Sequence, residues 1–529
     1  MINTFPIFKH WVPEWLIKVI LFILLLPSTV LFFLPLSNIN AAAGYYGSEP
    51  ADMQFAVALF YCGYVGFYSL ERRFFIYLAA KEYFIIFTVL NIVTTFICYY
   101  TQNVYILFPI RFIQGMLFAS TVNLSLATMF TRLHSERARE ISFSVFFCML
   151  LCAIPFNNFV TADIIDAANF HIVYKCAMFS YIPGLFMLII SMNNIRLNVR
   201  FPLYKLDWQS FSIYSIILCL IGYIMIFGQE YYWLEDTRIR YSVISIVLLS
   251  LLYFIRQRRM KRPYIDLSVF KFRNYNIGIL LLFVMYICRF SLGITNNFFA
   301  NVLKFDPMHV SYMNLLNIAG IITGVIIACS MILQKKNIRF IWISGFLLLL
   351  IFHSAMFFLF DIQADEKNYF LLLFIQGAGV GMIMVPTIIY SVSSVPVSMG
   401  ASGAAICLAV RYLGFSVSIA VINYYELFRK SKHYNTFQDN LTLTNPVVKN
   451  TISMQAHRLT SRGMYQTKSI KGANKLLVNA INGQSHLRFA MDYYEMMAWL
   501  LVGTLLLIGL FPYLNRTVVY LRSRNLTPA

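Results

Sequence analysis

Fourteen apolar runs, each close to the ~20 residues needed to cross the hydrocarbon core of a bilayer, punctuate this chain. They cover roughly 15–36, 52–70, 82–100, 104–130, 140–162, 170–192, 207–228, 239–256, 275–300, 307–334, 337–360, 367–393, 397–427 and 489–513. Water cannot solvate that pattern. Apolar residues make up 59% of the 529 and charged residues 12%, about half the charge of soluble domains. The chain reads as an all-α polytopic membrane protein. Lys9 precedes the first run and Ala41–Ala43 follow it, as around a signal peptide, but the run is too long for one.

The net charge of +20 is unevenly placed. Alternate short connections are basic: Arg72/Arg73/Lys81, Arg132/Arg137/Arg139, Arg196/Arg200/Lys205, the stretch from Arg256 to Arg273, and Lys335/Lys336/Arg339. The other short connections hold only Arg238, Arg240, Lys304 and Lys367, beside most of the loop acids. This asymmetry sets orientation rather than nucleic-acid binding, and predicts both termini in the cytoplasm. Residues 428–488 form a long outward loop that is basic, with helical spacing over 446–462 and 470–482. Such a loop rests on anionic lipid headgroups or docks a protein.

A tetrapeptide repeats. Phe112-Ile113-Gln114-Gly115 in the fourth span returns as Phe374-Ile375-Gln376-Gly377 in the twelfth. Both are the fourth span of a six-span block if the seventh and eighth spans are an insertion. Parallel six-helix halves with a solute site between them are a recurrent transporter design. The division expected is 1–192, then 193–256 with the two inserted helices, then 257–529 including the 428–488 loop.

Ionisable groups inside spans are costly and mark cavities or partners. Arg111, Arg289 and Arg411 lie well inside the fourth, ninth and thirteenth spans, and His353 lies in the eleventh. For each, bonding to the carbonyls of a neighbouring helix is the alternative to a functional role. Gly377, Gly379 and Gly381, with Gly414 later, allow close helix packing, and Pro386 and Pro396 are expected to break the helices around a short inner turn. The nine cysteines sit in apolar runs without CxxC spacing and read as small buried hydrophobes. No phosphate loop, HExxH motif or acid cluster for a metal is present, so neither a cofactor, a metal nor enzyme catalysis is expected.

At these residues the chain resembles the major facilitator superfamily, and within it the fourteen-helix drug:proton antiporter branch (the EmrB/QacA type). Arg111-x-x-Gln114-Gly115 is similar to that branch's fourth-helix signature. Pro263-x-x-Asp266-Leu267-x-x-Phe270 is similar to the segment entering its ninth helix. Gly377-x-Gly379-x-Gly381, Pro386, Gly400-Ala-Ser-Gly403 and Arg411-Tyr-Leu-Gly414 follow its C-terminal half. The first intracellular motif is reduced to Glu71-Arg72-Arg73, the fifth-helix motif to Pro155, and the first helix lacks the branch's acid.

The resemblance implies two six-helix halves plus two inserted helices and alternating access. It implies a multi-pass protein of the inner membrane that exports amphipathic or organic solutes, as in multidrug efflux, with a periplasmic adaptor protein as partner. Arg111 and Gln114 would shape one wall of the site, and Arg289, Asn296, Asn297, Gln376 and Arg411 the other. Cationic residues without midplane acids favour an anionic or zwitterionic small-molecule substrate. If transport is proton-coupled, Asp52 and His353 are the candidates, and Asp52 as a helix cap is the alternative. A non-transporting sensor or scaffold on the same fold remains open, as does, with less support, a membrane-embedded transferase.

Overall fold

The computed structural model describes residues 7–132, 138–167, 169–195, 206–260, 263–442 and 444–510. Within these, the side chains of 72–77, 124, 127, 130–132, 138–139 and 166 are not described, and Arg72 and Arg73 are among them. The described residues are 86% helix. Its elements are α1 (Glu14–Ser37), α2 (Ile39–Tyr46), α3 (Pro50–Tyr77), α4 (Ala80–Tyr100), α5 (Val104–Arg132), α6 (Ala138–Ala167) and α7 (His171–Ser191). Two further helices, α8 (Trp208–Phe227) and α9 (Thr237–Arg259), lead to α10 (Arg273–Arg289), α11 (Leu292–Asn301), α12 (Pro307–Leu333), α13 (Ile338–Leu359) and α14 (Lys367–Ser393). The chain continues as α15 (Gly400–Asn423), α16 (Lys430–Asp439), α17 (Pro446–Ser461) and α18 (Gln466–Leu510). Among the described residues, fourteen spans are long and apolar enough to cross a membrane.

The repeated tetrapeptide is a repeat in packing. A Cβ on Gly115 of α5 would strike the Phe60 carbonyl of α3, and one on Gly63 of α3 would strike the Phe112 carbonyl. In the second set, Gly377 of α14 meets the Asn317 carbonyl of α12, and Gly320 of α12 meets the Phe374 carbonyl. Backbone therefore touches backbone at two crossings, an approach that only small residues allow. Gly381 adds to the second crossing, Gly379 packs on Leu349 and Gly345 of α13, and Gly414 of α15 sits on Tyr286 of α10. Helix α8 touches both sets: its Leu218 carbonyl accepts the Tyr412 hydroxyl of α15 at 2.8 Å, and a Cβ on Gly66 of α3 would strike its Ser215 hydroxyl. Helix α9 lies outermost, with only 17% of its span window buried.

Three expectations are corrected. The ninth span is not one helix: it breaks at Phe290–Ser291 between α10 and α11. Pro386 does not end a helix, because α14 runs through it to Ser393, while Pro396 does lie in the turn before α15. Prolines are tolerated inside buried membrane helices where neighbours satisfy the freed carbonyl. Residues 428–488 are helical where the spacing over 446–462 and 470–482 predicts, but they are continuous with the spans rather than a separate loop. The thirteenth span continues through a π-helical turn, Tyr424–Arg429, and α16 as far as Asp439, and the fourteenth begins at Gln466. Helix α17 packs back on α18, so the segment is a helical protrusion.

Candidate functional site

Arg111 is fully buried. Its Nη1 donates to the Leu31 carbonyl at 2.9 Å and its Nη2 to the Phe32 carbonyl at 2.8 Å, both on α1. The reason lies in the sequence of α1. Pro35 has no N–H, so Leu31, four residues earlier, has lost its helical donor. Arg111 supplies a replacement. Nη1 also reaches Gln114 Oε1 at 2.9 Å, and the guanidinium lies 4.6 Å from the centre of the Phe60 ring. This group is internal to the first set of helices.

Arg289 repeats the device across the two sets. Its Nη2 donates to the carbonyls of Leu150 at 3.0 Å and Leu151 at 3.3 Å on α6. Leu151 stands four residues before Pro155, whose missing N–H frees that carbonyl. The Phe33, Tyr286 and Phe290 rings surround the guanidinium at 5.4–5.7 Å. Its own carbonyl, left open by the α10–α11 break, accepts Gln376 Nε2 at 3.3 Å. Gln376 Oε1 in turn accepts from Asn317, whose Nδ2 also reaches the Leu373 carbonyl at 2.9 Å. Tyr494 of α18 donates to the Ser291 carbonyl inside the break at 3.2 Å.

Arg411 completes the seam. It lies over the Phe147 ring of α6 at 5.2 Å, with the Tyr64 side chain of α3 beside it. Arg289 and Arg411 are electrostatic neighbours and share Tyr286 and Tyr61. Each keeps an Nη1 without a hydrogen-bond partner, and among the described residues neither pairs with a carboxylate. Two buried cations without acids, ringed by Tyr61, Tyr64, Tyr286, Phe147 and Phe290, form a dry, electropositive site between the two sets of helices.

The structure thus brings Arg289, Arg411 and Gln376 together and holds Arg111 with Gln114 apart from them. Asn296 and Asn297 are half-buried on α11, and Asn296 Oδ1 has no partner. His353 Nδ1 bonds the Leu349 carbonyl of its own helix at 2.8 Å, and its ring packs on Tyr494 at 5.2 Å. Glu71 is buried and accepts from the Tyr83 hydroxyl and from Asn123 Nδ2, the latter at 2.6 Å. Asp52 lies in the first turn of α3, where its Oδ2 accepts the Glu49 amide at 3.2 Å. It faces Glu49 and Glu230, and burial followed by the Glu49 carboxyl pushes Glu230 up to about 7. The ring of tyrosines was missed by sequence reasoning, although Pro155 and Pro35 could have pointed to the carbonyls that the arginines cap.

These helices, their crossings and a seam site define a fourteen-helix membrane protein with the major facilitator fold. The comparisons agree, although no family model matches the chain. It is 20% identical over 381 residues to the colistin resistance protein EmrB of Acinetobacter baumannii, spanning 70% of this chain and 71% of that one. It is 25% identical over 264 residues to the riboflavin transporter RibZ of Clostridioides difficile, spanning 48% of this chain and 56% of that one. Among solved structures, the human organic anion transporter MFSD10 (TETRAN) superposes with a TM-score of 0.53 at 13% identity, over 94% of this chain and 100% of that one. A POT family transporter in complex with 5-aminolevulinic acid gives 0.61 at 12% identity, over 97% and 99%. At these identities the structures share the fold; three of the four proteins are transporters by name, and the fourth is named for colistin resistance.

Proposed function

We propose that this chain is a secondary active transporter that carries an anionic or zwitterionic organic solute by alternating access, with the solute's negative charge held between Arg289 and Arg411. One observation carries the reading: two buried guanidinium groups at the seam each retain an open donor and, among the described residues, pair with no carboxylate. A solute anion supplies the missing counter-charge, and aromatic rings around it favour an organic body. The halves that rock are residues 1–192 and 257–529, with 193–256 as inserted helices. Export from the cytoplasmic side of an inner membrane, with a periplasmic adaptor seated on the α16–α18 protrusion, follows the resemblance. Proton coupling falls to Asp52 and its neighbours Glu49 and Glu230, since His353 is turned onto its own helix.

The test is flux in proteoliposomes with fluorescein as the anionic probe and rhodamine 6G as the cationic one. Arg411→Ala should remove most fluorescein flux while leaving a monodisperse protein, and Arg411→Lys should rescue it only in part, because the planar fork is lost. Full flux in the alanine variant refutes the site. Asp52→Asn should abolish gradient-driven accumulation and spare exchange at equal pH; unchanged accumulation removes Asp52 from the coupling role.

A further inference from the structure

We propose that Asn158 of α6 and Asn314 of α12 form a second, uncharged subsite in the seam, for a hydroxyl or carboxamide that the solute carries about 10 Å from its anionic group. This rests on the transporter reading and deepens it, by giving the substrate two polar ends of different kinds.

Asn314 is fully buried, and among the described residues neither its Nδ2 nor its Oδ1 has a hydrogen-bond partner. Leaving both atoms of a buried amide unbonded is costly, and a fold tolerates it where another molecule supplies the partners. Its neighbours on the same strip of α12 fix its place. Ser311, three residues before it, donates to the Asn158 carbonyl of α6 at 3.1 Å. Asn317, three residues after it, donates to the Leu373 carbonyl and to Gln376 of α14, and Gln376 donates to the Arg289 carbonyl. Asn314 therefore stands at the seam, between a contact with α6 and a contact with α14.

Helix α6 links this amide to the arginines. Phe147, Leu151, Ile154 and Asn158 recur at the spacing of one helix face. Arg411 lies over the Phe147 ring, and Arg289 donates to the Leu150 and Leu151 carbonyls. Asn158 follows Leu151 by seven residues, a rise of about 10 Å along the helix. Its Oδ1 is also buried without a partner, and the apolar Ile154 lies between the two levels. Neither amide carries charge, so a second ion on the solute would lack a counter-ion there. An amide both donates and accepts, so a group that does the same satisfies Asn314 at both atoms and gives Asn158 Oδ1 a donor. A hydroxyl or carboxamide fits; an ether or a methyl does not. Water has the same two-sided chemistry, so the test turns on the end group and length of the solute.

The test measures binding to the purified full chain by isothermal titration calorimetry. The probe is a rigid biphenyl carboxylate with a hydroxyl at its far end. Its controls lack the hydroxyl, carry an aminomethyl group in its place, or are shortened to para-hydroxybenzoate. The hydroxyl should tighten binding about tenfold, the worth of one buried hydrogen bond, and neither other end-substituted control should share the gain. Asn314→Leu should remove the gain and leave the unsubstituted compound bound as before, while Asn158→Leu should remove it in part. Leucine fills the space without an unbonded amide, so Asn314→Leu should unfold at no lower temperature than the parent chain. Arg411→Ala should weaken every carboxylate alike. Equal binding of the hydroxylated and unsubstituted compounds, both weakened by Arg411→Ala, overturns the subsite alone and leaves the amides to water. A gain shared by the aminomethyl compound makes the amides a cation site and overturns the assignment. Binding that Arg411→Ala does not weaken, with the hydroxyl preference intact, sinks the anion site of the transporter reading and leaves the amides as a hydroxyl site. Binding by none of the compounds overturns both.

Discussion

Set side by side, the crossing of α3 with α5 and the crossing of α12 with α14 share a backbone and differ in chemistry. Gly115 and Gly377 stand at equivalent points, each closed against a carbonyl of the neighbouring helix. The glutamine one residue earlier behaves differently in the two. Gln114 accepts from Arg111, which repairs α1 inside its own set. Gln376 donates to the open carbonyl of Arg289, which repairs α6 in the other set. The repeat is retained where main chain meets main chain and diverges where side chains meet. A bond inside one set can persist while the sets move; a bond between them belongs to one arrangement.

The largest effect should come from the shared part. Gly115→Val and Gly377→Val each push a side chain into a carbonyl, and should cost about 3 kcal/mol, the upper end for overpacking. Thermal unfolding in detergent should show the two losses equal; a tolerated Gly377→Val beside a ruinous Gly115→Val would break the equivalence. Next come the arginines. Arg111→Leu strands the Leu31 carbonyl, at about 1–3 kcal/mol for an unpaired buried group. Pro35→Ala restores the missing N–H, so the double variant should recover part of the loss, with a coupling of about 0.5–3 kcal/mol. Arg289→Leu with Pro155→Ala should recover stability likewise but not flux. Recovery of flux would mean that Arg289 is only a carbonyl cap. Smallest are the amides: Gln114→Leu and Gln376→Leu should each cost about 1 kcal/mol, and only the second should alter flux.

Much of this was legible in the sequence. Hydropathy located the spans, the tetrapeptide marked one helix of each crossing, and the cost of charge in lipid pointed to Arg111, Arg289, Arg411 and His353 alike. Other features left weaker traces. The break at Phe290–Ser291 has neither proline nor glycine at it, and it is held by Gln376 and Tyr494, residues remote in sequence. Pro386 carried a breaker's signal that the surrounding packing overrides. The first half of α18 is polar, so hydropathy began the last span near 489, and the helical spacing over 470–482 did not reveal that both stretches are one continuous helix. The pairing of Arg289 with the carbonyl freed by Pro155 follows from proline chemistry, but only the fold says which arginine arrives.

Helix α18 has one further consequence. Its 45 residues form a rod about 68 Å long at 1.5 Å per residue. Its polar first half packs on α16 and α17, and its apolar second half carries Tyr494 to the Ser291 carbonyl at the α10–α11 break. The two halves are one continuous helix, so a tilt of the first is transmitted along the rod to the second. The tilt arrives at Ser291, one residue beyond Phe290, whose ring stands 5.4 Å from Arg289.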